Sequence, residues 1–405
     1  MPYEATMEII KRKRYLERIS QWMGKNTIIV LTGQRRVGKS YMLRQLNEAV
    51  QTDGNVIFID KESRKFDDIA SSRDLNEYIE SRLLPGCRNY ILIDEVQNIP
   101  GFEHSLRGFY SEPGCNLIVT GSNARMLSSE LTTLIGGRYK EIYIQPLDYG
   151  EFMTFHHLQD SDDTMHSYIE HGGMPGLATI GPDPSLASEY LDDIYSTTLL
   201  KDVVMRNNIR NAVFLDKLVR FLADNEGKVI SATSISNFMK SRGEALSPSV
   251  IINYLKMLSA AYMVSQVSRF DIHGKRIFEN NDKYYFEDHG LRNVIAGGTR
   301  EGDIEKVMEN IVYQQLRRMG YKVYVGQLMA SEIDFVCTKA GGGRIYVQVA
   351  YIIADEATRE REFGNLKKIG DNYPKFVISM TPMVGRSDYD GITHLHLRRF
   401  LTEGL

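Results

Sequence analysis

The sequence predicts an α/β protein: a parallel sheet with helices on both faces, then a helical region ending in a β-ribbon, then a smaller second α/β unit. Three observations predict it. Short apolar, β-branched runs alternate with helix-like segments over the first 150 residues. A glycine-rich stretch at 33–40 joins the first such run to the first helix-like segment. Beyond about residue 150 helical periodicity takes over, and alternation returns only after residue 300.

Taken in order, residues 6–23 place Ile9, Ile10, Leu16, Ile19 and Trp22 near helical spacing, an amphipathic helix leading into the first strand. Strands are expected at 27–31, 56–59, 90–93 and 117–120, each a near-continuous apolar run of the kind buried on both faces of a parallel sheet. Helices at 39–50, 73–84 and 103–110 separate them, and a fifth strand at 141–144 ends before Pro146. From 150 to 225 the pattern is mostly helical, interrupted by His171-Gly172-Gly173-Met174-Pro175-Gly176. Helices at 212–224, 233–241 and 248–261 follow. The last has Ser247 as N-cap and Pro248 at its first position. Two strand-like stretches joined through His273-Gly274-Lys275 complete the order helix, helix, helix, ribbon, which is that of a winged helix. A helix at 303–319 and strands at 321–325, 332–337 and 344–351 form the second α/β unit. The expected domains are therefore 1–150, a helical lid or linker at 151–211, 212–300 and 301–405.

Composition bounds the function. Apolar residues make up 42% and charged residues 25%, the balance of a globular protein rather than a disordered or fibrous one. The net charge of -3 gives no global basic field, so nucleic-acid binding would need a local patch. Cys87, Cys115 and Cys337 lie too far apart to form a metal-binding spacing or a disulfide framework. The N-terminus lacks an apolar signal core, and nowhere do about 18 apolar residues run together. A cytoplasmic protein without a membrane partner is expected.

Gly33-Gln34-Arg35-Arg36-Val37-Gly38-Lys39-Ser40 matches G-x-x-x-x-G-K-[ST] at each fixed position. The glycines let the backbone wrap a phosphate with its N–H groups, and the following helix points its positive end at the same place. Lys39 would reach the β- and γ-phosphates of ATP, and the Ser40 hydroxyl would bind Mg²⁺. Tyr41 continues this phosphate-binding set into the helix. An apolar strand at 90–93 then ends in Asp94-Glu95, with Asp94 as the second Mg²⁺ ligand and Glu95 as the group that orients or deprotonates the attacking water. The alternative for Glu95 is the cap of a following helix. Ser122 and Asn123, after the strand at 117–120, could hydrogen-bond that water or the γ-phosphate, or serve a plain turn. Arg138, after Gly136-Gly137, could act as an arginine finger on a neighbouring copy, which would make the active species a homo-oligomer. A surface arginine paired with a carboxylate reads as well.

These motifs, with Asp94-Glu95-Val96-Gln97, Thr120-Gly121-Ser122-Asn123 and Gly137-Arg138-Tyr139 before Pro146-Leu147, resemble the AAA+-superfamily ATPases of bacteria and archaea. In these a P-loop NTPase domain precedes a winged helix and a restriction-endonuclease-like domain. Gly172-Gly173-Met174-Pro175, Lys201-Asp202-Val203, Glu309-Asn310 and Glu332-Ile333-Asp334-Phe335 are similar to the family's later motifs. The resemblance implies a sensor at Ser122 or Asn123 and a finger near Arg138. It also sets an expectation for the C-terminal domain. Where such nucleases have E-x-K, this chain has Gln348-Val349-Ala350, so only Glu309 and Asp334 remain of the metal-and-lysine set and no cleavage is expected.

DNA is a candidate partner through Ser249, Asn253, Lys256 and Ser259 of the third helix and Lys275-Arg276 of the hairpin, a thin basic footprint diluted by Asp271, Glu279 and Asp282. Two functions are consistent with all of this. One is an ATP-driven machine that moves its C-terminal modules on nucleic acid; the other is a nucleotide-gated regulatory switch that binds a protein partner.

Overall fold

Helix α1 (Lys13–Trp22) opens the chain, in a computed structural model that describes residues 10–123, 136–181, 183–244, 246–278, 281–299, 301–329, 331–382 and 386–405. The expected start of this helix at residue 6 lies outside the described residues. The chain divides into two compact units, one of 1–145 with 260–262 and one of 146–259 with 263–405.

The first unit contains β1 (Ile28–Thr32), α2 (Lys39–Val50), β2 (Asn55–Asp60), α3 (Ser72–Glu80), β3 (Asn89–Asp94), α4 (Phe102–Tyr110), β4 (Cys115–Gly121) and β5 (Tyr139–Tyr143). The sheet order is β2-β3-β4-β1-β5, with every pairing parallel. β1 and β3 are buried along their whole length, the reason their sequences show apolar runs rather than alternation. Ile57, Ile91 and Val119 of the strands pack against Leu75 and Ile79 of α3 and Leu106 and Phe109 of α4. Because all strands run the same way, the ends of β1, β3 and β4 open on a single edge, where parallel sheets bind ligands.

The second unit begins with α5 (Tyr149–Phe155), α6 (Asp162–His171) and α7 (Pro184–Thr197), the last running into a π-helical stretch at Thr198–Met205. Next come α8 (Ala212–Asp224), α9 (Ala232–Ser241) and α10 (Pro248–Ala260). Four short strands follow, β6 (Val264–Val267), β7 (Arg269–Asp271), β8 (Arg276–Ile277) and β9 (Lys283–Phe286). The expected hairpin through His273-Gly274-Lys275 exists as β7–β8, but it is not the ribbon that follows the three helices. That ribbon is β6–β9, paired from Val264↔Phe286 to Val267↔Lys283. β7 pairs in parallel with β10 (Lys322–Leu328) and joins an eight-stranded sheet instead. Phe270 and Ile272 explain the difference, since they are buried there with Tyr324, Leu328 and Ile333. An outlying hairpin would leave both in water, at a loss of about 2 kcal/mol for each.

The remaining elements are α11 (His289–Ile295), α12 (Ile304–Arg318), β11 (Ser331–Thr338), β12 (Arg344–Ala350), α13 (Glu356–Lys367), β13 (Lys375–Ser379), β14 (Ser387–Tyr389), β15 (Ile392–His396) and α14 (Leu397–Glu403). The large sheet has the order β14-β15-β13-β12-β11-β10-β7-β8. α12 covers one face through Val307, Ile311 and Val312 against Phe335, Val347 and Val349. α13 covers the other through Phe363 and Leu366 against Val336, Tyr346 and Val377. Among the described residues no helix is long and apolar enough to cross a membrane.

The His171–Gly176 interruption has a packing explanation. The Gly173 N–H donates to Asp288 Oδ2 at 2.8 Å, and Asn293 Nδ2 donates to the carbonyls of Ile169 and Glu170. The end of α6 is thus pressed against the start of α11. A Cβ on Gly290 would lie 1.9 Å from the His171 carbonyl oxygen, and one on Gly172 2.5 Å from the Gly290 nitrogen. Side chains are excluded because two backbones touch.

Candidate nucleotide site

The phosphate loop leaves the C-terminal end of β1 and closes into α2, the strand–loop–helix context its sequence requires. Gly33 has φ +140°, and a Cβ there would sit 2.2 Å from the Ile144 carbonyl oxygen, so the first motif glycine is fixed by sterics. Gly38, left-handed at φ +97°, caps the start of α2, and nothing lies within 4 Å of the place its Cβ would take. That open space above the helix N-terminus is what a phosphate group needs. Arg36 is also left-handed at φ 65°, exposed at the crest of the loop. Val37 and Gln34 are buried beneath it, and Gln34 Oε1 accepts no hydrogen bond. Arg35 lies 3.5 Å from Glu62, while the exposed Tyr41 carries the Arg44 guanidinium over its ring at 5.5 Å.

Lys39 is buried. Its Nζ donates to the Gly33 and Gln34 carbonyls, 3.0 Å each, and lies 4.0 Å from Glu95 Oε1. The Ser40 side chain hydrogen-bonds Asp94, and the Thr120 hydroxyl donates to Asp94 Oδ1 while accepting the Glu95 N–H at 2.8 Å. One hydroxyl on β4 therefore ties the two acids of β3 together. Burial pushes the Asp94 carboxyl above the ordinary carboxylate range. Hydrogen bonds from Thr120 and Ser40 pull it part of the way back, and the Glu95 and Asp60 charges push it up again. A buried carboxyl beside a second acid and a hydroxyl is an oxygen donor set short of positive charge, and it fits Mg²⁺.

Glu95 sits at φ 49°, ψ 51°, a left-handed turn that swings its side chain across the strand ends. Its Oε2 accepts from Ser122 Oγ at 3.2 Å and from Gln97 Nε2. Asn123 is buried just beyond β4, next to Ser122. The loop, Asp94, Glu95, Ser122 and Asn123 thus gather on one sheet edge. Arg138 does not. Tyr139 pairs with Ile28 in the parallel register, and the Arg138 carbonyl accepts the Ile28 N–H at 3.1 Å. Its side chain is exposed, over the Tyr110 ring at 5.5 Å. It stands at the N-terminal end of β1, roughly 16 Å of strand away from the loop at about 3.3 Å per residue.

Sequence reasoning gave no role to three contributors: Thr120 and Gln97, present only as members of motifs, and Arg12. The buried Arg12 guanidinium donates to the Val37 carbonyl at 3.2 Å and to the Gln145 carbonyl at 2.9 Å, bracing the loop from beneath. Its only sequence signal is a charge on the inward side of the α1 periodicity. Arg12→Ala removes two charge-assisted bonds from the loop's support, and ATP affinity should fall about tenfold, roughly 1.4 kcal/mol. Isothermal titration calorimetry reads this directly, and an unchanged Kd would mean that the loop holds its shape unaided.

Comparisons with known proteins bear on the family. Residues 25–153 match the AAA domain family and residues 162–301 a domain of unknown function (DUF8612). An uncharacterized protein of Methanocaldococcus jannaschii is 28% identical over 382 residues, 89% of this chain and 83% of that protein. A Walker-type ATPase of Pyrococcus abyssi superposes with a TM-score of 0.49 at 17% identity, over 70% of this chain and 95% of that one. An uncharacterized protein of Haemophilus influenzae is 32% identical over 405 residues, 98% of this chain and 99% of its own length. With that end-to-end identity the chain belongs to the family of this Haemophilus influenzae protein, and it carries an AAA-type P-loop domain over its phosphate loop.

Proposed function

We propose that the chain hydrolyses ATP and uses the nucleotide cycle to move its C-terminal modules. The observation that carries this reading is the chain of contacts Ser40–Asp94–Thr120–Glu95 beside Lys39, which joins three strand ends into one site. In this reading residues 33–41 hold the triphosphate, with Lys39 turning from the loop carbonyls to phosphate oxygens, and Ser40 and Asp94 hold the metal. Mg²⁺ supplies charge neutralisation at the transferring phosphoryl group. Glu95 accepts a proton from the attacking water, and Ser122 and Asn123 orient that water or register the γ-phosphate.

Arg138 serves a neighbouring copy rather than its own site, a role supported by its exposure and its distance from the loop. The specific ATPase rate should then rise with protein concentration. Arg138→Ala should flatten that rise, and mixing it with Lys39→Ala should restore turnover, because each variant supplies what the other lacks. Failure of the mixture to recover would rule out a trans finger.

The moving parts are read as a winged helix (α8, α9, α10 and the β6–β9 ribbon) and a nuclease-like unit around β10–β13. The nuclease-like unit does not cleave, since Gln348 and Ala350 stand where an acid and an ammonium are needed. Nucleic acid is the first candidate for what they act on. A second reading, a switch that binds a protein, is favoured by the outer face of α10, where Ile252 is exposed beside Asn253 and Lys256. ATPase rates with single-stranded, double-stranded and no DNA separate the two. DNA stimulation selects the machine, and indifference to DNA selects the switch.

A further inference from the structure

The second unit contains a charged centre of its own. Lys283, on the ribbon strand β9, is 1% exposed. Its Nζ lies 2.8 Å from Glu309 Oε1 on α12 and 2.7 Å from Glu332 Oε1 on β11. The Tyr285 hydroxyl donates to the same Glu309 oxygen. Asp334, two residues beyond Glu332, accepts the Val349 N–H on Oδ2 at 2.7 Å. Gln348 closes the far side, its Oε1 accepting the Asp334 N–H at 3.4 Å and its Nε2 donating to Glu362 at 3.2 Å.

Glu309 and Asp334 are buried and Glu332 stands at the rim with its side chain 39% exposed, and the Lys283 ammonium pairs with both Glu309 and Glu332. Burial opposes the Lys283 charge, yet Glu309, Asp334 and Glu332 together outweigh it and raise the lysine above its ordinary range. Asp334 is raised as well, which for a carboxyl favours the neutral form. Burial first, then the Glu309 charge, pushes its carboxyl well above the ordinary range, with Lys283 and the Val349 N–H only partly offsetting them. The centre is thus built around one positive charge, and removing that charge would leave buried carboxylates without compensation.

We propose that the Lys283 ammonium is the resident cation of this centre, holding the position a divalent ion would otherwise take. The C-terminal α/β unit then uses its acids to fasten the ribbon to α12 and β11, not to hold a metal. The cation comes from a different element than the one where Ala350 leaves a gap, so the nuclease-like signature is occupied rather than merely eroded.

The test uses the full chain without nucleotide and Mn²⁺ alone as probe, read by electron paramagnetic resonance and by thermal unfolding. Wild type and Glu309→Gln should take up Mn²⁺ equally. Lys283→Met should melt several degrees lower and bind Mn²⁺ at least about tenfold more tightly than wild type, with Mn²⁺ recovering part of the lost Tm. Lys283→Met/Glu309→Gln should lose that gain, and Lys283→Arg should behave as wild type. Mn²⁺ uptake by wild type that Glu309→Gln abolishes would overturn the proposal, as would a folded Lys283→Met indifferent to Mn²⁺. If Lys283→Met does not fold, the comparison of wild type with Glu309→Gln decides alone.

Discussion

Glu95→Gln is expected to bind ATP with near wild-type affinity and to hydrolyse it at least about a hundredfold more slowly, the usual cost of losing a positioned general base. The amide keeps an acceptor for Ser122 Oγ, and the backbone turn at φ 49° does not depend on the charge. What disappears is the basic oxygen near Lys39 and the strand ends. Lys39→Ala should instead weaken binding and turnover together, because the ammonium buried against the Gly33 and Gln34 carbonyls is the charge that would meet the phosphates. Calorimetry and single-turnover hydrolysis on both variants separate binding from chemistry. Wild-type turnover in Glu95→Gln would end its assignment as the water-activating group.

Gly290→Ala should be the most damaging small substitution in the second unit. The new methyl would sit 1.9 Å from the His171 carbonyl oxygen, a backbone atom in a segment held by Asp288 and Asn293. Relief requires α6 and α11 to separate, so unfolding free energy should drop by roughly 3 kcal/mol or more. Gly297→Ala is the control. Its φ is +81° but nothing lies within 4 Å of the added methyl, so only left-handed strain of about 1 kcal/mol is at stake. Gly290 lies within a helix and has no left-handed φ, so equal losses in urea melts would show that the contact with His171 is relieved without parting the two helices.

Much of the first unit could be read from sequence because its determinants are local. Residues 33–40 follow one another, and apolar runs ending in Asp94-Glu95 and in Ser122-Asn123 mark strand ends without knowledge of strand order. What escaped was set by partners distant along the chain. Nothing near Arg12 indicates that it will meet the carbonyls of Val37 and Gln145. Thr120 looks like one more β-branched strand residue until the parallel register sets it beside Asp94. The hairpin through His273-Gly274-Lys275 was recognisable as a hairpin, but hydrophobic pattern does not name the strand it joins, and Phe270 and Ile272 settled that. The missing ammonium was sought two positions past Gln348, while the cation in that neighbourhood stands on β9.

The eight-stranded sheet ends at one side in β14, three residues long, and at the other in β8, two residues long. An open edge exposes unpaired N–H and C=O groups on which a foreign strand can grow, and length is what makes such a template effective. Among the described residues both margins of this sheet are stubs. Without the β7–β8 hairpin, β10 would present a seven-residue border to every other copy of the chain. The short insertion inside the ribbon thus also acts as a guard against self-association through the sheet.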